Sequence, residues 1–232
     1  MRTYPIQLDV RERPCLVVGG GRVAERKVRG LLAAGAAVTV VSPEATSALA
    51  QLASAANIVW IPRGYRSADL DGMRLVIAAT DQPAVNRQIA EDAHVRGVLC
   101  NVIDQPAAGD FTLPSVIRRG DLVLTVSTSG QSPALARHLR KALEGRFGNE
   151  YEVFLRIMGA VRQRLLREEE DPEARREMFA RLVAAEIPEA IRDGRRDLVR
   201  QRLQSILGPA YDPSLLECID TVTETPQCQG HP

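Results

Sequence analysis

The chain has 232 residues, 45% of them apolar and 25% charged, with a formal net charge of +1. This is the profile of an ordinary soluble globular chain, one large domain or two small ones, long enough to bury a core without staples. A balance so close to neutral argues against an obligate nucleic-acid binder. No apolar run approaches the ~20 residues of a membrane helix. The start, Met1-Arg2-Thr3-Tyr4-Pro5, lacks the apolar stretch of a secretory signal. The four cysteines (Cys15, Cys100, Cys218, Cys228) show neither C-x-x-C spacing nor a disulfide framework. A cytoplasmic enzyme or small-molecule-binding domain is expected.

Residues 1–113 alternate short apolar runs with helical patterns. Cys15–Val18 reads as a buried strand, and 22–34 as a helix with Val23, Ala24, Val28, Leu31 and Leu32 on one face and Gly35 as terminator. Ala37–Val41 is a second strand, and 43–55 a helix with Pro43 in its first turn. Strands follow at 58–61 and 75–79, a helix at 83–96 ended by Gly97, and a fifth strand at 98–102. Near-continuous apolar strands alternating with helices predict an α/β, Rossmann-type parallel sheet covered on both faces.

The rhythm then breaks. Val116-Ile117, the turn Arg118–Asp121 and Leu122–Val126 predict antiparallel β structure, followed by a Ser/Thr/Gly loop and a helix from Ser132 to Arg146. Residues 114–147 form a small α+β segment of net charge +4, against +1 before it and −4 after it. That excess fits either a solvated surface or an anionic ligand. Residues 148–220 read as a helical domain, with Tyr151, Phe154, Leu155, Met158, Val161 and Leu165 on one face of its first helix. Further helices are expected near 173–186 and 195–207, with Met178, Phe179 and Leu182 as core. Residues 221–232 read as a disordered tail.

The strongest local signal is Val17-Val18-Gly19-Gly20-Gly21-Arg22-Val23-Ala24. It is G-x-G-x-x-A between a strand and a helix. Gly19 would make the turn, Gly21 would let a pyrophosphate approach, and Ala24 would let helix and strand pack closely. The helix N-terminus, at Arg22 and Val23, would offer free N–H groups. A merely tight glycine turn is the bland alternative. The second strand runs into Pro43-Glu44, with Glu44 slightly late for the acidic residue that holds a ribose. No Arg or Lys stands nearby in sequence for a 2′-phosphate, so NAD is favoured over NADP.

Thr80 and Asp81 end the fourth strand, and Asn101 to Asp104 end the fifth, where ligands sit in an open parallel sheet. Asp81 reads more readily as a helix N-cap before Pro83. Asp104 is the favoured catalytic residue, with a turn residue as its alternative. Ser132-Pro133 reads as a capped helix start able to hold an anion, or as an ordinary cap. His94, His138 and His231 show no metal-ligand spacing, so no bound metal is expected.

These residues also carry a resemblance. Tyr4-Pro5-Ile6 to Leu8, Val17 to Lys27, Ala78–Asp81 with Val85-Asn86, and Asn101–Asp104 through Phe111 and Pro114 to Ser127–Arg137 recur in order. Over about 4–145 the chain resembles the precorrin-2 dehydrogenase/sirohydrochlorin ferrochelatase part of siroheme synthases. The resemblance implies oxidation of precorrin-2 to sirohydrochlorin by NAD, then insertion of ferrous iron to give siroheme; some relatives perform only the first step. It places the family's essential aspartate at Asp104, a general base or proton-steering group, and its regulatory serine position at Thr128. The substrate carries eight carboxylates, which would explain the basic segment. Arg118, Arg119, Arg137 and Arg140, with Thr128, Ser129 and Ser132, become the candidate substrate contacts. Gly19, Gly21, Arg22, Val23, Ala24, Pro43, Glu44, Thr80, Asp81 and Asn101 become the candidate cofactor contacts.

The resemblance further implies a homodimer that exchanges the 114–147 segment across its two-fold; the charge balance and the lack of a long apolar run lead to the expectation of no nucleic-acid or membrane partner. Many siroheme synthases continue into a methyltransferase module. This sequence ends before one, so methylation is expected from another protein. A non-enzymatic NAD/NADH-sensing domain is the alternative, but a sensor needs neither Asp104 nor the Ser-rich loop and basic segment.

Overall fold

The computed structural model describes residues 3–103, 105–168 and 171–208. It divides into two compact units. One comprises the residues up to Leu113 together with Ser129–Gln131; the other comprises Pro114–Thr128 and the residues from Ser132 onward.

The first unit is a five-stranded parallel sheet of order β3-β2-β1-β4-β5. Its elements are β1 (Pro14–Val18), α1 (Arg22–Ala33), β2 (Ala37–Val41), α2 (Ser47–Ser54), β3 (Val59–Ile61), β4 (Leu75–Ala78), α3 (Pro83–Arg96) and β5 (Leu99–Val102). Alternation along β1 sends Cys15 and Val17 to one face and Leu16 and Val18 to the other, and all four are buried. The first face packs with Ala24, Val28, Val38, Val40, Leu49 and Ile77. The second packs with Val76, Ala78, Ile89, Ala93 and Cys100. Burial on both faces is why these strands read as unbroken apolar runs. Gly97 closes α3 in the left-handed conformation at φ 65°.

Two helix starts of this unit differ from the sequence reading, one in position and one in its cap. The second helix begins at Ser47, capped by Thr46, whose hydroxyl accepts the Leu49 N–H at 3.3 Å. Pro43, Glu44 and Ala45 stay outside it, because this stretch is held against the glycine loop: the Thr46 N–H donates to the Gly20 carbonyl at 2.9 Å. At α3 the N-cap is Gln82, without a side-chain cap, so Asp81 is not the cap.

The second unit opens with an antiparallel hairpin, β6 (Ser115–Arg119) and β7 (Leu122–Val126), in the register Ile117↔Leu124. Helix α4 (Pro133–Arg146) packs on it, with Ser132 as cap accepting the Leu135 N–H at 3.2 Å. Then come α5 (Glu150–Glu168), α6 (Pro172–Ala184), α7 (Ile187–Arg192) and α8 (Arg196–Leu207). Their core is Val153, Ile157, Val161 and Leu165 of α5 with Leu182, Ile187, Ala190, Val199 and Leu203. The expected α5 face is thereby corrected. Phe154 and Met158 only flank the seam, and Leu155 is exposed, because α7 packs against α5 and shares a core with its Val153–Ile157–Val161 line. Met178 and Phe179 pack against this core. The tail expectation for 221–232, Cys218, Cys228 and His231 lies outside the described residues.

Glu150 ties α5 to α7. Its carboxylate is buried and receives the Arg192 guanidinium (Nε to Oε1, 3.0 Å) and the Gly148 N–H (3.1 Å). Burial pushes the carboxyl up, but Arg192 and the backbone N–H groups outweigh it and hold it below the ordinary glutamate value. A depressed folded-state value stabilises above the unfolded-state pKa and loses that contribution as pH falls through the folded one. Arg192→Ala should therefore lower the melting temperature by a few degrees near pH 7. Melts across pH should show the difference from wild type closing in acid, as Glu150 protonates in both.

Candidate functional site

The strand order reverses between β1 and β4, which puts the loops after these strands at the crevice where α/β sheets take ligands. The first of them is the glycine loop. Gly19 has φ +124°, and a Cβ there would lie 2.3 Å from the Ala79 carbonyl oxygen. Its N–H donates to the Val41 carbonyl at 2.9 Å. A Cβ on Gly20 would lie 1.9 Å from the Glu44 carbonyl oxygen. The fold itself therefore demands glycine at both positions. Gly21 is different. Its backbone is ordinary and extended (φ −81°, ψ −178°), and a Cβ would meet nothing within 4 Å. It leaves open space at the N-cap of α1, where no side chain caps the helix.

The N–H groups of Arg22, Val23 and Ala24 have no acceptor within their own helix. They converge, with the positive end of the helix dipole, on the space that Gly21 leaves open. Ala24 is fully buried on the sheet, as the small third position requires. The arrangement suits a pyrophosphate.

The loop after β2 is fixed to this cradle. Glu25 of α1 accepts the Thr46 hydroxyl at 2.9 Å and Arg29 Nε at 3.1 Å, and these bonds, Thr46 first, hold its carboxyl below the ordinary range. The Trp60 indole donates to the Ser42 carbonyl at 3.1 Å. Pro43 and Glu44 are exposed at the rim, and the Glu44 carboxylate has no partner among the described residues. Arg63, just past β3, is held in a two-point pair with Asp69 (2.8 and 2.6 Å) and so is engaged elsewhere.

At the end of β4, Thr80 is locked in place. Its hydroxyl donates to Asn86 Oδ1 at 2.7 Å, and Asn86 Nδ2 returns to the Thr80 carbonyl at 3.0 Å. Asp81 is exposed. At the end of β5, Asn101 is buried and donates to the Phe111 carbonyl at 2.8 Å. Asp110 accepts the Cys100 N–H through its carboxylate at 2.9 Å, and its own N–H donates to the Cys100 carbonyl at 2.8 Å. A Cβ on Gly109 would lie 2.7 Å from that carbonyl. Residues 109–111 thus run closely beside β5. Asp104 itself lies outside the described residues. Of the supporting set, Glu25 and Asn86 stood in the segments that carry the resemblance but had no role assigned, and Thr46, Gly109 and Asp110 were not singled out from sequence. The Gly-Gly-Gly run was the signal for Gly20; the side-chain partners lie 6–21 positions apart.

In the second unit the four candidate arginines part company. Arg119 donates to the carbonyls of Phe147 (3.0 Å) and Arg118 (2.9 Å), closing the C-terminal end of α4. Arg140 pairs with Glu144 at 2.7 Å. Arg118 and Arg137 are exposed, with no side-chain partner among the described residues. Ile117 points inward, so by alternation Arg118 takes the opposite face of the hairpin. Thr128 Oγ1 accepts the Ser132 N–H at 3.1 Å. Thr128 and Ser132 accept N–H bonds and still have O–H groups to give. Ser129 stands at φ +51° beside Gly130 at φ +80°.

Among the described residues no three His, Cys, Asp or Glu side chains gather as a metal site. Cys15 and Cys100 are buried, and burial pushes both thiols up to about 11, joined at Cys100 by the Asp110 charge. They are packing residues rather than nucleophiles. No helix among the described residues is long and apolar enough to cross a membrane.

Comparison with known proteins agrees with this geometry. Residues 6–115 match the family described as "Putative NAD(P)-binding", and 119–146 match "Sirohaem biosynthesis protein central". The chain is 39% identical over 204 residues to a siroheme synthase of Chromobacterium violaceum, covering 88% of this chain and 43% of that protein. It is 39% identical over 212 residues to one of Thioalkalivibrio sulfidiphilus, covering 91% and 43%. Siroheme synthase 1 of Serratia proteamaculans is 44% identical over 169 residues, covering 71% and 36%. The chain thus spans less than half the length of the curated relatives it matches. A solved structure, SirC, precorrin-2 dehydrogenase, shares the fold with a TM-score of 0.69 at 24% identity, covering 86% of this chain and 98% of that one.

Proposed function

The chain corresponds to the N-terminal part of siroheme synthase, and on that premise we propose that it oxidises precorrin-2 to sirohydrochlorin with NAD and then inserts ferrous iron to give siroheme. The observation that carries the reading is the glycine loop. Gly19 and Gly20 are glycine for the fold, while Gly21, where a Cβ would meet nothing within 4 Å among the described residues, and the uncapped α1 N-terminus form a cradle. The exposed Glu44 at the rim and the engaged Arg63 favour NAD over NADP.

In the first step NAD supplies the hydride acceptor, and the products are sirohydrochlorin, NADH and one proton. Asp104 takes that proton as general base. The glycine loop and the locked Thr80 hold the reactants in a fixed geometry, which supplies much of the rate. Arg118 and Arg137, exposed and without side-chain partners among the described residues, are the foremost contacts for substrate carboxylates. Arg119 and Arg140 already have protein partners and shape the segment instead. The hydroxyls of Thr128 and Ser132 can donate to further carboxylates, and Ser129 of the same loop is proposed as a further substrate contact. In the second step ferrous iron, as substrate, replaces two protons on the macrocycle nitrogens, one received by Asp104 and the other released to water.

The active form is proposed to be a cytoplasmic homodimer. Val116 on the hairpin and Leu135 and Leu139 on α4 are exposed apolar residues, and a two-stranded hairpin gains from a further partner.

Purified protein mixed anaerobically with NAD and precorrin-2 should form NADH, and ferrous iron added afterwards should give siroheme faster than the uncatalysed background. Folded, NAD-binding protein that forms no NADH would overturn the dehydrogenase reading and leave the sensor.

A further inference from the structure

Lys27 is a half-buried cation without a counter-charge among the described residues. No carboxylate bonds to it among the described residues, and its one charged neighbour of consequence is Arg26, of the same sign. Burial first, and Arg26 second, push its ammonium below the ordinary lysine value. A lysine with nothing to do would swing its head into water.

Its place on α1 suggests what it meets. Ala24 and Val28, both fully buried, mark the middle of the helix face that lies on the sheet. Glu25 falls on one flank and bonds Thr46, just before α2, which fixes that flank as the β2 side. At ~100° per residue Lys27 falls about 160° around from Glu25, on the other flank. With β1 between β2 and β4, that flank lies towards β4. Val23, 40% exposed, shares it. Helical side chains lean towards the N-terminus. Lys27 stands about 9 Å along the axis from Gly21, at ~1.5 Å per residue, and a four-carbon stem directed back spans most of that distance.

We propose that Lys27 binds an anionic oxygen of the ligand on the β4 side of the glycine loop, completing its ion pair only when that ligand is present. The inference rests on the function proposed above. The anion is either a phosphate of the dinucleotide or a carboxylate of the tetrapyrrole.

The test uses Lys27→Met, which keeps the apolar stem, and Lys27→Arg, which keeps the charge. Three quantities are read: melting temperature, NAD Kd without tetrapyrrole, and KM and kcat for precorrin-2 at saturating NAD. Lys27→Met should fold with an unchanged or higher melting temperature, since no internal pair is lost. Losing one charged hydrogen bond should weaken one ligand by roughly 10- to 100-fold. A raised NAD Kd assigns the phosphate; a raised KM with NAD Kd unchanged assigns the carboxylate. Lys27→Arg should recover part of the loss. A lowered melting temperature, or both ligands unchanged within two-fold while wild type binds and turns over, overturns the proposal. Wild type that neither binds NAD nor turns over overturns the functional reading instead.

Discussion

Gly21→Asp is expected to leave the protein folded and to abolish NAD binding. The two halves of that result have separate causes. An added Cβ at Gly21 meets nothing within 4 Å, and the backbone there is one that any residue adopts. Asp is also a good N-cap, worth a few tenths of a kcal/mol over Gly, so the melting temperature should hold or rise slightly. The new carboxylate, however, stands where the pyrophosphate would lie. Like charges about 4 Å apart repel by about 4 kcal/mol near a protein surface, a factor of roughly 10³ in Kd. Gly20→Ala is the contrasting control. Its Cβ would lie 1.9 Å from a backbone carbonyl that cannot yield without moving the loop after β2, so that variant should lose stability as well as affinity. Calorimetric titration of NAD beside a thermal melt separates the cases. Unchanged NAD affinity in folded Gly21→Asp would make the glycine loop a turn and nothing more.

This contrast also marks how far the sequence could be read. The strand–glycine–helix order was legible because strand, glycines and helix are contiguous in one β–α unit, and local pattern carries such units. The start of α2 was not. Pro43 has the chemistry of a first helical residue, but the stretch is recruited by Gly20 and by Glu25, 21 positions away from Thr46. The inward face of α5 was read only in part, Val161 and Leu165 rightly but not Val153 and Ile157, for a similar reason. Two apolar lines, Val153–Ile157–Val161 and Phe154–Met158, both repeat at helical spacing, and the packing of α7 on α5 chooses between them. α7 is six residues long and opens with Ile187-Pro188, too short for any period to show. Among the arginines, charge counting located the basic segment. It gave no sign that Arg119 would be drawn to the end of α4, since that contact exists only once helix and hairpin are formed, whereas Arg140 and Glu144 stand four apart on one helix, a pairing that spacing alone suggests.

Asp104→Ala should separate binding from chemistry. The cradle for NAD is built from Gly19 to Ala24, and the end of β5 is held by Asn101 on Phe111 and by Asp110 on Cys100, none of which needs the Asp104 carboxylate. NAD Kd and melting temperature should therefore stay close to wild type. Turnover should fall by roughly 10²–10⁴, the usual contribution of a positioned general base. Asp104→Asn keeps the size and polarity but cannot take a proton, so it should fall nearly as far. If the carboxylate is the base, the acid limb of the wild-type pH–rate profile should vanish from the residual activity of both variants. If one residue serves both steps, NADH formation and iron insertion should drop together. Loss of iron insertion alone would confine Asp104 to the second step, and full turnover in Asp104→Ala would remove it from the mechanism and leave it a turn residue.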